Sequence, residues 1–300
     1  VSYIFTKLFG YLRLMRPANI LTAITDVMAG IAISGFLLAG FGDTQSVLQF
    51  LCLVFATIGL YGGGVVFNDV FDATLDRIER PERPIPSGVI SRTEAIVLGV
   101  YLLVLGVIGA FSVGELQGII ALCIAIAALV YNKWGKHHTQ LGPLNMGLCR
   151  GLNLLLGMSI LPESLLRHGW FALVPVLYIA AITMISRDEV HGGKKGPLKM
   201  AAAGYAIVCI VILVQGWLHG KLPEVALFLA VFLYLIMRPL LTAIKDPAGP
   251  NIGRAVKGGI IGLIAMNAAW AAAFATFPFA LAVLCLLPLS ILLSRAFAVT

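Results

Sequence analysis

Charge is scarce in this 300-residue chain: Lys, Arg, Asp and Glu make up 12% of it, and acidic side chains number only 14 against 21 basic ones. With 60% hydrophobic residues and a mean hydropathy of +0.98, so little charge excludes an ordinary soluble domain, where about a quarter of residues are charged. Cysteine is also sparse. Cys52, Cys123, Cys149, Cys209 and Cys285 lie in or beside apolar runs without CxxC spacing, which disfavours a disulfide framework or a zinc site and favours buried thiols. A small-residue cleavage site before the first apolar run is lacking too, so the lead-in VSYIFTKLFGYLRLMRP reads as a basic amphipathic segment lying along the membrane interface, not a cleavable signal.

What the chain has in abundance is long apolar runs. They fall at about 20–41, 46–67, 95–112, 115–131, 143–161, 169–185, 200–218, 222–240, 257–276 and 278–297, which predicts an all-α, multi-pass integral membrane protein of about ten transmembrane helices. If both termini are cytoplasmic, every Lys and Arg except Arg167 and Lys221 falls in or beside an inner loop. The positive-inside rule therefore favours that orientation and an even number of spans. The formal charge of +7 then describes a cytoplasmic face suited to membrane lipid and anionic substrates, and no nucleic-acid partner is expected. The chain reads as one transmembrane domain over 1–300, with cytoplasmic acidic loops at 68–92 and 186–199.

The acids that do exist are concentrated. NDVFDATLD places Asn68, Asp69, Asp72 and Asp76 directly after the second apolar run, and helical spacing puts Asn68, Asp72 and Asp76 on one stripe with Asp69 beside it. Two carboxylates about 6 Å apart repel by roughly 2–3 kcal/mol at an effective dielectric near 20, so the cluster requires a counter-charge. A hard divalent cation such as Mg2+, which takes carboxylate, amide and phosphate oxygens, is the simplest one. The bland alternative is a solvated helix end with Asp76 paired to Arg80. Prolines in RIERPERPIPSGVISRTEA end this helix, and Ser91 with Glu94 forms the expected cap of the next. ISRDEVHGGKKGP follows the sixth run as NDVFDATLD follows the second, which suggests two helix groups whose acidic loops meet over a cavity.

The segment NDxxDxxxD followed by RPxRPIPSGxIS resembles the first signature of the UbiA superfamily of intramembrane prenyltransferases. Arg16-Pro17-Ala18-Asn19, Tyr131 with its following lysines, and the acidic loop after the sixth span extend the resemblance over most of the chain. It implies a UbiA-like bundle of nine helices, here with one more at the C-terminal end, and transfer of a prenyl group from an allylic prenyl diphosphate. The acceptor would be a small aromatic or alcohol. Within the superfamily, DEVHGGKKG is more faintly similar to the EboC branch. The second family signature ends in an acid where this chain has Gly193, so Asp188 and Glu189 would hold a second ion, or the site would use one.

On this resemblance the catalytic and metal-holding set is Asn68, Asp72, Asp76, Asp188 and Glu189 with help from Asp69. Arg80, Arg83, Lys133, Lys136, Arg150 and Lys194 are the bases best placed for a diphosphate, and positive-inside anchoring is the alternative for each. His191 is a loop residue, a ligand or a proton acceptor. Asn19 faces the cavity or caps a helix. Asp26 lies deeper in the first span, where a charged acid costs on the order of 3 kcal/mol, so it is expected to face a polar cavity or carry a proton, as an acceptor-site or proton-handling residue. Two rival readings stay open: a transporter or flippase of lipid-linked anions, and an inactive isoprenoid-binding member.

Overall fold

The computed structural model describes residues 2–40, 42–189 and 192–297, and no strand occurs among them. Fourteen α-helices follow one another: α1 Ser2–Met15, α2 Pro17–Ser34, α3 Phe36–Gly40, α4 Thr44–Glu79, α5 Arg92–Phe111, α6 Glu115–Lys133, α7 Leu141–Met158, α8 Glu163–His168, α9 Leu173–Ser186, α10 Lys195–Leu218, α11 Leu222–Lys245, α12 Gly249–Phe274, α13 Phe277–Leu284 and α14 Leu286–Ala296. Among the described residues nine helical segments are long and apolar enough to cross a membrane, with α8–α9 and α13–α14 each making one. The tenth expected span, 143–161, is α7, an 18-residue helix whose Asn145, Arg150 and Asn153 make it the most polar of the set. Its exposed face carries Leu141, Leu144 and Leu148, while Arg150 and Asn153 are buried against the rest of the bundle.

Local chemistry sets the helix ends. Asp43 accepts a hydrogen bond from the Ser46 backbone N–H at 2.9 Å to start α4, and that bond holds its carboxyl below the usual range. The expected capping box opens α5: Ser91 Oγ accepts from the Glu94 N–H at 3.2 Å, and Glu94 accepts from the Ser91 N–H at 2.8 Å. Lys7 of α1 pairs with the same Glu94, tying the interfacial helix to the bundle. The helix carrying NDVFDATLD runs unbroken from Thr44 to Glu79; at 1.5 Å per residue its 36 residues span about 54 Å, more than a bilayer core. Its last turns are two-sided. Phe71, Leu75 and Ile78 are exposed at three- and four-residue steps, while Asp69 and Asp76 are buried on the inner side.

The core divides along α2 and α7. One side of this pair packs with α4, α5 and α6 through Val27, Ile31, Leu53, Leu60 and Leu156; the other packs with α9 to α13 through Ile33, Leu154, Tyr178, Phe232 and Trp270. The two helices approach at Gly30 and Gly157. A methyl group on Gly30 would overlap the Leu154 carbonyl oxygen, and one on Gly157 would overlap the Val27 carbonyl oxygen. Both obstacles are backbone and cannot rotate away. Gly30→Ala is therefore expected to cost about 1–3 kcal/mol, read as a lower melting midpoint and reduced monodisperse yield in detergent; a variant melting like wild type would contradict this packing.

Candidate active site

A cavity of about 340 Å3 opens between α2, α4, α6, α7, α9 and α12. Its mouth is made by Arg16, Asn68, Arg80, Ser186 and Glu189, its waist by apolar side chains including Val65, Ala128, Met146, Ile182 and Val256, and its deep end by Tyr61, Arg150 and Asn153. Both acidic segments reach the mouth. Asn68 comes from α4 on one side and Glu189 from the turn after α9 on the other, as the spacing of the two loops predicts.

The counter-charge that the acids require is present as protein cations. Asp69 accepts from Arg16 at 2.8 Å and lies 3.4 Å from Arg83, which also binds Asp76 at 2.8 Å; Asp72 pairs with Lys136. The stripe thus splits in two: Arg83 bridges Asp69 and Asp76, while Asn68 and Asp72 face α6 and the turn after it. Asn68 donates to Asn132 Oδ1 at 3.2 Å, and Asn132 donates to the Gly64 carbonyl at 2.8 Å. Asp76 takes Arg83 instead of Arg80, and Arg80 lines the cavity. Arg16 reaches Asp69 from the junction of α1 and α2, where its φ of 50° is the one positive value at a described non-glycine residue. A left-handed arginine of this kind costs of order 1–3 kcal/mol and persists because its surroundings hold it.

The second loop explains its missing acid. A side chain at Gly193 would collide with the Asp188 carboxylate, which already occupies that space, and Gly192 has a φ of +77° with the Pro247 carbonyl 2.9 Å from a built Cβ. Gly193 N–H donates to the same carbonyl at 3.1 Å. The two glycines therefore dock this loop on the turn before α12, and Glu189 is carried over Gly253 in the first turns of α12. His191 lies outside the described residues.

Other expected site residues are placed as follows. Asn19 is buried and lines the cavity. Lys133 is exposed, its ammonium 4.4 Å from the centre of the Trp134 ring, and Lys194 is exposed just before α10. Arg150 sits nine residues into α7, about 13 Å below its start at 1.5 Å per residue, with its guanidinium 4.7 Å from the centre of the Tyr61 ring. It donates to Asp26 at 2.7 Å and to Thr22 Oγ1 at 2.8 Å. Asp26 stands behind it, 1% exposed, accepting also from Asn267 at 2.7 Å and Asn153 at 3.5 Å. Asn132, Asn153 and Asn267 escaped the sequence reading, although an amide in an apolar span is itself a signal. The left-handed turn at Arg16 has no sequence signal.

Among the described residues no three His, Cys, Asp or Glu side chains converge as a ready cation cage. The donor chemistry nevertheless fits magnesium: Asn68, Asp72 and Glu189 offer only oxygen ligands around the mouth, beside room for the phosphate and water oxygens that complete such a sphere.

Comparisons with known proteins identify the family. Residues 28–248 match the model of the UbiA prenyltransferase family. The chain is 35% identical over 218 residues to digeranylgeranylglyceryl phosphate synthase of Methanosarcina mazei, covering 66% of this chain and 74% of that protein. The enzyme of the same name from Methanosarcina barkeri is 34% identical over 156 residues, so the chain spans about half, 54%, of that relative. Among solved structures, the apo UbiA homologue of Aeropyrum pernix K1 superposes with a TM-score of 0.65 at 19% identity, covering 82% of this chain and 96% of that one. The UbiA homologue of Archaeoglobus fulgidus bound to GPP and Mg2+ gives 0.56 at 17% identity, covering 83% and 99%. These two likenesses speak to the fold, and the first match covers well over half of the sequence. The chain belongs to the UbiA prenyltransferase family.

Proposed function

We propose that this protein transfers a prenyl group from an allylic prenyl diphosphate to a hydroxyl acceptor, with magnesium at the mouth of the cavity and that mouth on the cytoplasmic side. The observation that carries the reading is the mouth itself: Arg16, Asn68, Arg80 and Glu189 stand above an apolar waist, and beside them three aspartates are already paired with Arg16, Arg83 and Lys136. A diphosphate and a metal ion would exchange these partners, the guanidinium and ammonium groups turning to phosphate oxygens and the carboxylates to the metal. The Archaeoglobus fulgidus homologue bound to GPP and Mg2+ supports both ligands. The relatives' name, digeranylgeranylglyceryl phosphate synthase, favours a hydroxyl over an aromatic carbon as acceptor.

Asn68, Asp72 and Asp76 would hold magnesium, with Glu189 and Asp188 opposite and Asp69 fixing Arg16 and Arg83. When bound, magnesium neutralises the charge that grows on the departing diphosphate. Arg80, Arg83 and Lys136 orient the phosphates and share that charge. The C1–O bond breaks with its electron pair leaving on the diphosphate, and the waist shields the allylic cation from water. A lone pair of the acceptor oxygen forms the new C–O bond, and the acceptor proton passes to the released diphosphate. No protein nucleophile takes part. Lys133 at the end of α6 and Lys194 just before α10, both exposed, attract the anionic donor.

The test is to incubate purified protein with magnesium, C10 to C20 allylic diphosphates and a lipid extract as acceptor source. Diphosphate release and a new prenyl ether, both lost with EDTA, are expected. Movement of the diphosphate across a vesicle membrane without release would overturn the proposal in favour of a transporter, and no release with any chain would favour an inactive binder.

A further inference from the structure

We infer that Asn132 on α6 is a positioning residue for the proposed magnesium site: it holds the nitrogen of the Asn68 side-chain amide toward α6, so that the oxygen is the end left for a cation. This rests on the magnesium and donor reading proposed above. The placement comes from a ladder between two helices. Gly64, Asn68 and Asp72 stand at four-residue steps on α4, and Ala128, Asn132 and Lys136 at the same steps along α6 and the turn after it. Steps of four return to one helix face, and the two rows meet rung by rung. At the first rung a methyl group on Gly64 would stand 3.3 Å from the Ala128 Cβ, so glycine there lets the helices close. At the second, Asn68 Nδ2 donates to Asn132 Oδ1 at 3.2 Å. At the third, Lys136 pairs with Asp72. Asn132 also donates through Nδ2 to the Gly64 carbonyl oxygen at 2.8 Å, one turn back on α4.

Only one orientation of the two amides satisfies these contacts. A backbone carbonyl only accepts, so the Asn132 nitrogen must face Gly64 and its oxygen must face Asn68. That oxygen in turn needs the Asn68 nitrogen; turning the Asn68 amide over would set two oxygens against each other. Asn132 is 3% exposed, so it cannot trade these partners for water without cost. Asn68 lines the cavity mouth, and no donor among the described residues meets its Oδ1. Magnesium takes the oxygen of an amide and not its NH2 group, so an amide free to turn would offer the wrong end part of the time. This one is set before the ion arrives, the service that outer hydrogen-bond partners give the ligands of metal centres in general. A cation drawing on the oxygen also makes the NH2 group a stronger donor, so the bond to Asn132 gains as the ion binds. Asn132 lines the cavity too, which makes direct contact with the donor the rival role. The two roles differ in whether they depend on residue 68.

The test is the magnesium concentration at which the full-length protein in detergent half-maximally retains labelled geranyl thiolodiphosphate, a donor analogue that binds without reacting. Asn132→Leu keeps the branching of the side chain and removes both hydrogen bonds, so the Asn68 NH2 group faces hydrocarbon whenever its oxygen turns to the ion. A donor left unpaired in the bound state is expected to raise the midpoint about tenfold. Asn132→Ala, which adds no bulk, is expected to raise it by less, since water can fill the vacated place, and it carries the test if the leucine variant does not fold. Both substitutions are repeated on an Asn68→Asp background. A carboxylate presents an oxygen whichever way it turns, and the Asn132 oxygen then opposes it, so replacing Asn132 should there leave the midpoint unchanged or lower it. Equal rises on both backgrounds, in monodisperse protein, would overturn the inference and mark Asn132 as a direct donor contact. No rise with Asn68 intact would overturn it as well. So would a midpoint missing from every protein carrying Asn68→Asp, since an oxygen would then not be what position 68 supplies. Retention by the wild type that ignores magnesium would overturn the metal reading itself, and no retention at all the donor reading; the inference falls with either.

Discussion

Asp72→Ala is expected to lower magnesium-dependent diphosphate release by roughly 100-fold or more. A metal acting on a leaving oxygen supplies several kcal/mol of charge stabilisation, each 1.36 kcal/mol is a factor of ten in rate, and Asp72 is the least buried of the three mouth aspartates, beside cavity-lining Asn68 on the same helix face. The substitution has a second effect, because it leaves Lys136 without its carboxylate. That free ammonium can still attract the diphosphate, so the loss should fall on turnover and on the magnesium requirement more than on donor affinity. A magnesium titration with donor in excess separates the two. Release that survives in Asp72→Ala at wild-type magnesium would sink the assignment of this face. Asp69→Ala acts differently: it frees Arg16 and loosens Arg83, and should weaken donor binding.

The second large effect is on folding. Asp26→Ala leaves the Arg150 guanidinium buried without its counter-charge, and breaking such a pair costs about 3–5 kcal/mol. A membrane protein of this size has little stability beyond that to lose, so the variant should give little monodisperse protein and a sharply lower melting midpoint. Asp26→Leu/Arg150→Met should recover most of the loss, since it removes both charges and leaves Asn267 and Asn153 to find Thr25 and Thr57, which they already bind. An alanine variant that melts like wild type would show that water or lipid headgroups reach Arg150, contrary to its burial.

Much of this was legible from residues alone, for reasons that differ between elements. The apolar runs were legible as spans because backbone groups in a membrane leave helix as the default; the run at 143–161 is the helix α7, but its polar residues keep it out of the nine segments apolar enough to cross by themselves. NDVFDATLD was legible because few structures tolerate three acids on so short a helical stretch. Its electrostatic solution was not, since Arg16 and Lys136 stand more than fifty residues away and meet the acids only through the packing of α2 and α6 on α4. Asp26 could be flagged as costly, but its partners Arg150 and Asn267 lie on α7 and α12, and only the fold pairs them. The collision that makes position 193 a glycine is with the Cβ and carboxylate of Asp188, which only the course of the turn between them brings together.

The outward row of Phe71, Leu75 and Ile78 has a consequence for traffic. These side chains share their turns with Asp72 and Asp76, so the acids sit level with an exposed apolar strip, one that a surrounding leaflet would cover. On the proposed reaction the two products then part at right angles: diphosphate must climb along the membrane normal to reach water, past the arginines that held it, while the prenylated product drifts sideways into the leaflet without ever crossing an aqueous boundary.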